Sequence, residues 1–329
     1  MEISLLNKIK NRLWNDIVCN FKNKKYYPQL YKSYWHYKCN QNNFSTSSIN
    51  YYSAIPNPGA GIGHQMANWI AGYWFAQQFN LQFAHIPFSN AKWESFLGFG
   101  EREENIEELL STGYGKVKLP LFDEGNLAEV ELQKRIIASY SNKKVVFAAE
   151  QDQFYGNQYG VIDSIQEKFY AASARNQDSL IFDQSYFNIA IHVRRGDIVI
   201  GQENQNSNLL MRWQENDYFV KVLENVVNSL ETTKPIAIYL FSQGAESDFP
   251  EFLQFKNLHF CLEMNAADSF LHMVFADLLI SSKSSFSYKP ALLNRNIKVS
   301  PKDFWHGYPT TKDWILANED GTLNSNLNE

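Results

Sequence analysis

The chain reads as an α/β protein built on parallel sheets with helices on both faces. Three observations predict this. An apolar strand at 188–193 runs into Arg194-Arg195-Gly196-Asp197; a glycine loop at 57–65 opens a helix with one apolar face; and strands alternate with helices from 189 to 294. In such sheets ligands bind beyond the carboxyl ends of the strands.

In chain order, Ile3, Leu5, Leu6, Ile9, Leu13, Trp14, Ile17, Val18 and Phe21 fall near helical spacing between lysines and asparagines. Residues 3–21 therefore suit a helix docked on its own domain or a peripheral helix at a membrane surface. Residues 26–52, around Tyr34-Trp35-His36-Tyr37, show no regular period and read as covering structure or loop. After the glycine loop, Met66, Trp69, Ile70, Tyr73 and Trp74 mark one helical face, Asn80 closes the helix and 81–86 is a strand. The acidic run 101–108 reads as a solvated face, 145–148 as a strand ending near Glu150, and 161–174 as a helix.

A polar stretch at 174–179 sets a boundary near 180, giving domains 1–180 and 181–329. In the second, 189–193, 236–241, 258–262 and 276–282 are strands. Helices follow at 217–230, with Phe219, Val222, Leu223, Val226, Val227 and Leu230 as the apolar stripe, at 266–275, and from 285 to 294. Residues 305–309 and the Trp314 segment are expected to fold back near the domain junction, the last helix packing on the N-terminal domain, and 321–329 to fray.

With 329 residues and 44% hydrophobic composition the chain can bury large cores. A net charge of -5 without a basic tract argues against nucleic-acid binding. Cys19, Cys39 and Cys261, far apart and lacking CxxC, suggest neither a disulfide framework nor a zinc site. No apolar run of about 18 residues and no leader-like start are present, so the expectation is a cytoplasmic protein, peripheral at most to the inner membrane face.

The glycine loop lacks the third glycine of a dinucleotide fingerprint, His64 standing in its place, and the next strand ends at His85-Ile86-Pro87 without a ribose-binding acid. An NAD site is therefore discounted. Arg194 and Arg195 end one strand, while Ser284, Ser285 and Ser287 end another and open a helix whose N-terminus attracts anions. Two anion-binding devices on one sheet edge suggest a diphosphate. There is no Asp-x-Asp, and the 7 histidines have no metal-ligand spacing, so stabilising charge is assigned to side chains and helix ends, with no metal or other cofactor.

His192-Val193-Arg194-Arg195-Gly196-Asp197 resembles the HxRRGD-type motif of the GDP-fucose-dependent fucosyltransferases, the group of α1,2-, α1,6- and protein O-fucosyltransferases. Residues 276–287, AD-LLISSK-SSFS, are similar to that group's second nucleotide-binding segment, and Gly61-Ile62-Gly63-His64-Gln65 to its glycine loop, with His64 where asparagine is usual. The resemblance implies a GT-B-like architecture, two Rossmann-like domains facing a cleft, with the acceptor side at 1–180 and GDP-fucose held by 181–329. It implies metal-independent, inverting transfer of fucose to an oligosaccharide or glycoconjugate hydroxyl. Carried over by position, Arg194 clamps the β-phosphate, His192 touches the nucleotide nearby, and Arg195 orients the loop or adds to the field. Ser284, Ser285, Phe286 and Ser287 join the donor site with Gly61, Gly63, His64 and Gln65. Asp268 is the candidate reader of guanine or ribose, and Asp277 is structural. Glu203 is the first candidate for the general base, then Asp197 and Glu150.

Two other readings stay open at this point: a transferase of the same architecture using another nucleotide sugar, and a non-catalytic glycan-binding protein. For the latter speak the 8 Trp and 18 Tyr and the literal Arg-Gly-Asp, although that string directly follows an apolar strand. Tyr73, Trp74, Trp93 and Trp305 are either core or an acceptor groove.

Overall fold

Short apolar runs separated by helices give two all-parallel sheets in the chain's structure, a computed structural model. It describes residues 9, 12–13, 16–17, 20–38, 49–57, 59–120, 122–149, 158–196, 198–199, 210–304, 307–325 and 327. The chain divides into two compact units: Met1–Asn57, Asn68–Pro87 and Arg102–Phe154 form the first, and Pro58–Ala67, Phe88–Glu101 and Tyr155–Glu329 the second.

The first unit's strands are β1 (Tyr51–Ala54), β2 (Gln82–His85), β3 (Glu104–Asn105), β4 (Gly115–Lys118) and β5 (Val145–Ala149), in the order β3-β2-β1-β5-β4. Tyr51 pairs with Gln82 on one side and Val146 on the other. Val145, Val146, Phe147 and Ala148 are fully buried, which is why β5 is a continuous apolar run, as parallel strands covered on both faces require. The helices in chain order are α1 (Tyr27–Lys38), α2 (Ile62–Gln78), α3 (Ala91–Leu97), α4 (Ile106–Ser111), α5 (Leu127–Ala138), α6 (Ile162–Ala171), α7 (Asn216–Ser229), α8 (Ala266–Phe275) and α9 (Ser285–Leu293).

Residues 26–52, where the sequence shows no regular period, contain a helix: α1 buries Tyr27 and Tyr31, one turn apart, and the Tyr31 hydroxyl donates to the Lys118 carbonyl. Aromatic residues on most positions had hidden the period, and Ser53, fully buried within β1, broke its apolar pattern. The acidic run 101–108 is solvated as expected, Glu101, Glu104, Glu107 and Glu108 being exposed. It also holds β3 and the start of α4, where Asn105 caps the Glu107 N–H at 2.8 Å and Glu107 and Glu108 occupy the first turn.

The second unit's strands are β6 (Phe187–His192), β7 (Ile236–Phe241), β8 (Leu258–Cys261), β9 (Leu278–Ile280), β10 (Ile297–Pro301) and β11 (Trp314–Ala317), in the order β11-β10-β9-β6-β7-β8. Ile189, Ile191 and Val193 pack on Phe219, Val222, Leu223 and Val226 of α7, with Leu278 and Ile280 of β9 in the same core. Burying each of these side chains is worth about 1.5–3 kcal/mol. The chain lays β6, β7 and β8 to one side, then returns to place β9, β10 and β11 on the other. β6 and β9 thus flank the topological switch point, the crevice where doubly wound sheets bind ligands.

The division differs from a single cut near 180. Phe169 of α6 meets Phe96 and Phe270 edge-on or tilted, and Gln166 donates to the Leu292 carbonyl at 3.0 Å, so α6 and α3 belong with the second sheet. The Trp314 segment forms edge strand β11, with Lys298 paired to Trp314 and Val299 to Ile315. Four apolar residues between Asp313 and Asn318 are too few for a helix and suit a short covered strand. Fraying from Gly321 is also corrected: Asn225 donates to the Gly321 carbonyl at 2.8 Å, and Leu327 belongs to the core. No helix among the described residues is long and apolar enough to cross a membrane. In the 3–21 segment, Ile9, Leu13 and Phe21 are exposed and the other apolar positions, Ile17 apart, lie outside the described residues.

Candidate functional site

β6 delivers the first part of the site. Side chains alternate along a strand, so while Ile189, Ile191 and Val193 face the α7 core, His192 and Arg194 leave from the opposite face. His192, 8% exposed, places Nδ1 2.8 Å from the Ser282 Oγ at the end of β9, and its ring lies 5.6 Å from that of Phe286. Burial first, then the charges of Arg194 and Arg195, pull its imidazole down from 6.5 to about 3, so it is a neutral hydrogen-bonding group at physiological pH.

This shift predicts acid lability. A histidine buried neutral contributes stability that is intact above its unfolded pKa of 6.5 and is lost as pH falls from there towards about 3. The slope is at most about 1.4 kcal/mol per pH unit, or about 2 kcal/mol down to about pH 5. Urea unfolding at about pH 7.5 and about pH 5 should show His192→Asn losing less stability on acidification than the wild type. Equal losses would contradict the assignment.

Arg194 donates from Nη1 to the Ser284 Oγ at 3.1 Å, and the same oxygen caps α9 by accepting the Phe286 N–H at 3.2 Å. One serine thus ties the β6 arginine to the positive end of a nine-residue helix. Arg195 turns elsewhere: Nη1 donates to the Arg194 carbonyl at 2.8 Å, Nη2 to Asn216 at the start of α7, and its guanidinium lies 4.1 Å from the Trp213 ring centre. Burial lowers its pKa while Glu215, Glu251 and Asp248 oppose that. None of these contacts is to the β9–α9 serines. Gly196 turns the chain at φ +69, where a Cβ would fall 1.8 Å from the Gln243 Oε1.

The glycine loop meets the same place. α2 begins in the second unit, where the His64 and Gln65 N–H groups donate to the Gly61 carbonyl at 3.0 and 3.2 Å. A Cβ on Gly63 would lie 2.8 Å from the Ser285 carbonyl oxygen, so only glycine lets the α2 start approach the first residue of α9 this closely. Gln65 fixes the loop through Ala60 at 2.8 Å and Ser89 at 2.7 Å. Two helix N-termini and Arg194 therefore converge at the β6/β9 switch point.

The remaining candidates separate. Ser287 is fully buried and braces the turn, its Oγ accepting the Ser282 N–H at 3.1 Å. Phe286 packs between His192 and Phe270. Asp277 accepts the Asn188 N–H at 2.8 Å, a structural role. Asp268 is exposed on the first turn of α8, bonded to its cap Asn265 at 2.7 Å, and lines a cavity of about 670 Å³ with Gly244, Cys261 and Asn265 at the ends of β7 and β8. Trp93 packs edge-on to Phe96 and Phe270, and Tyr73 stacks on Trp69, which is core packing. Asp197, Glu203, Glu150, Trp305, Cys19 and Cys39 lie outside the described residues.

Sequence reading missed Ser282 and Gln214. Ser282 stands in the quoted ISSKSSFS run and could have been found there. Gln214, buried, accepts the Lys283 N–H at 2.9 Å across 69 positions, and no local pattern signals that.

No protein-family model matches the chain, and no curated protein matches its sequence. Among solved structures it is similar to POFUT1 in complex with GDP, at 14% identity over 77% of this chain and 98% of that one, with a TM-score of 0.48. It is also similar to NodZ α1,6-fucosyltransferase co-crystallised with GDP, at 11% identity over 85% and 98%, with a TM-score of 0.42. The fucosyltransferase NodZ from Bradyrhizobium follows at 11% identity over 86% and 100%, with a TM-score of 0.40. These likenesses are slight, and the reading of the site rests on the chain's own motifs and geometry.

Proposed function

We propose that the chain is a metal-independent, inverting glycosyltransferase that moves L-fucose from GDP-fucose to a glycan hydroxyl, giving an α-fucoside. The observation that carries this reading is the convergence of Arg194, the Ser284-capped start of α9 and the Gly63 start of α2 at one switch point. That arrangement suits a diphosphate, and the three ordered motifs resemble those of GDP-fucose enzymes.

In the reaction the bond from the fucose anomeric carbon to the β-phosphate oxygen breaks, and its electron pair leaves with GDP. The acceptor oxygen forms the new bond from the opposite face and its proton passes to a base. Arg194 and the helix ends meet the charge growing on the β-phosphate, where fixed donors lower the barrier most. His192, neutral, contributes a hydrogen bond rather than charge. The cavity beside Asp268 is assigned to guanine and ribose. Glu203, Asp197 and Glu150 are the candidates for the base.

Arginines and helix ends recognise diphosphate rather than fucose, so the donor is the point to test. GDP or UDP release should be followed with GDP-fucose, GDP-mannose and UDP-galactose. GDP-fucose is expected to lead in kcat/KM by at least about tenfold, the discrimination a few sugar contacts supply. Preference for another donor would overturn the fucose assignment.

A further inference from the structure

The turn joining β9 to α9 carries a cation that the roles above leave unused. Ser282 and Ser284 direct their hydroxyls to His192 and Arg194, at 2.8 and 3.1 Å. Between them the Ser284 N–H donates to the Ser282 carbonyl at 2.7 Å. A bond from residue i+2 back to residue i closes a three-residue γ-turn, which puts Lys283 at its centre. The Lys283 N–H, which such a turn leaves unused, donates to the buried Gln214 Oε1 at 2.9 Å. The backbone of Lys283 is thereby fixed on the carboxyl edge of the sheet, one residue from the serine that holds Arg194. Lys283 is half-buried, and no carboxylate pairs with it among the described residues.

A lysine without a carboxylate partner among the described residues, on a turn braced from both sides, suits an anionic ligand. Its chemistry complements that of Arg194. A guanidinium offers a planar fork to two phosphate oxygens, whereas an ammonium is a compact point charge that follows charge as it builds. We propose that Lys283 is a further donor-binding residue, its ammonium engaging the β-phosphate alongside Arg194, with Gln214 as the positioning residue that sets the turn. The assignment rests on the reading of this edge as a nucleoside diphosphate site. It extends that site to a lysine in the middle of the serine motif.

Calorimetric titration of GDP and GMP into the wild type, Lys283→Gln, Lys283→Arg and Gln214→Leu, at low and at physiological salt, tests it. Lys283→Gln should weaken GDP binding about tenfold, the loss expected for one charge-assisted contact. It should also flatten the salt dependence and leave GMP, which lacks the β-phosphate, within about twofold of the wild type. Lys283→Arg should recover most of the GDP affinity. Gln214→Leu should weaken GDP by a smaller factor while its Lys283 remains present. GDP binding by Lys283→Gln that matches the wild type at both salts, with the variant's thermal unfolding unchanged, would overturn the role of Lys283. Failure of the wild type itself to bind GDP would overturn the diphosphate reading and this proposal with it.

Discussion

Replacing Arg194 with alanine is expected to lower kcat/KM for GDP-fucose by about 10²–10³, the range for removing one fixed donor from a developing oxyanion. The fold should survive. The residue bonds Ser284, and that serine keeps its cap on the Phe286 N–H, so the stability change should stay near about 1 kcal/mol. Arg194→Lys should recover little, because an ammonium cannot offer the fork to two oxygens. Steady-state kinetics with circular dichroism on the same samples checks both halves. Near-wild-type turnover in a folded Arg194→Ala protein would remove this residue from the mechanism.

The second large effect is expected at Gly63. A methyl group there would sit 2.8 Å from the Ser285 carbonyl oxygen and 2.9 Å from its carbon, both backbone atoms that cannot swing aside. Gly63→Ala should therefore cost about 1–3 kcal/mol, the range for overpacking, and should weaken GDP binding because the two helix starts are forced apart. Gly61→Ala is the control. Nothing lies within 4 Å of a Cβ at that position, and the loss should be under about 1 kcal/mol, reflecting only its place at the helix start. Urea unfolding and GDP titration of both variants decide the matter. Equal effects at the two glycines would show that chain flexibility, rather than the close approach of Gly63 to Ser285, governs the loop.

Much of the second sheet was legible in the residues because its strands are short buried runs and α7 carries one apolar stripe. Ile236–Phe241 and Ala266–Phe275 fall where the pattern puts them. The pairing of Arg194 with the serine-rich helix start was legible too, since strand ends and helix starts share one edge in a doubly wound sheet. Other parts were hidden for physical reasons. α1 is so rich in aromatic and polar residues that no apolar period stands out, and its burial depends on partners such as Lys118 far along the chain. Arg195 has the same chemistry as its neighbour and differs only in direction, which Asn216 and Trp213 set. Gln214 acts through one long-range hydrogen bond to a backbone N–H, and that leaves no signature in composition or spacing. β11 was not legible as a strand because a four-residue apolar run does not reveal which sheet it joins.

The central claim is that a nucleoside diphosphate binds at the β6/β9 switch point, and a crystal structure of the chain with GDP tests it most directly. The account predicts the β-phosphate within hydrogen-bonding distance of the Arg194 guanidinium and at the N-terminus of α9, with guanine toward Asp268. A diphosphate bound elsewhere, away from the Arg194 guanidinium, would contradict it.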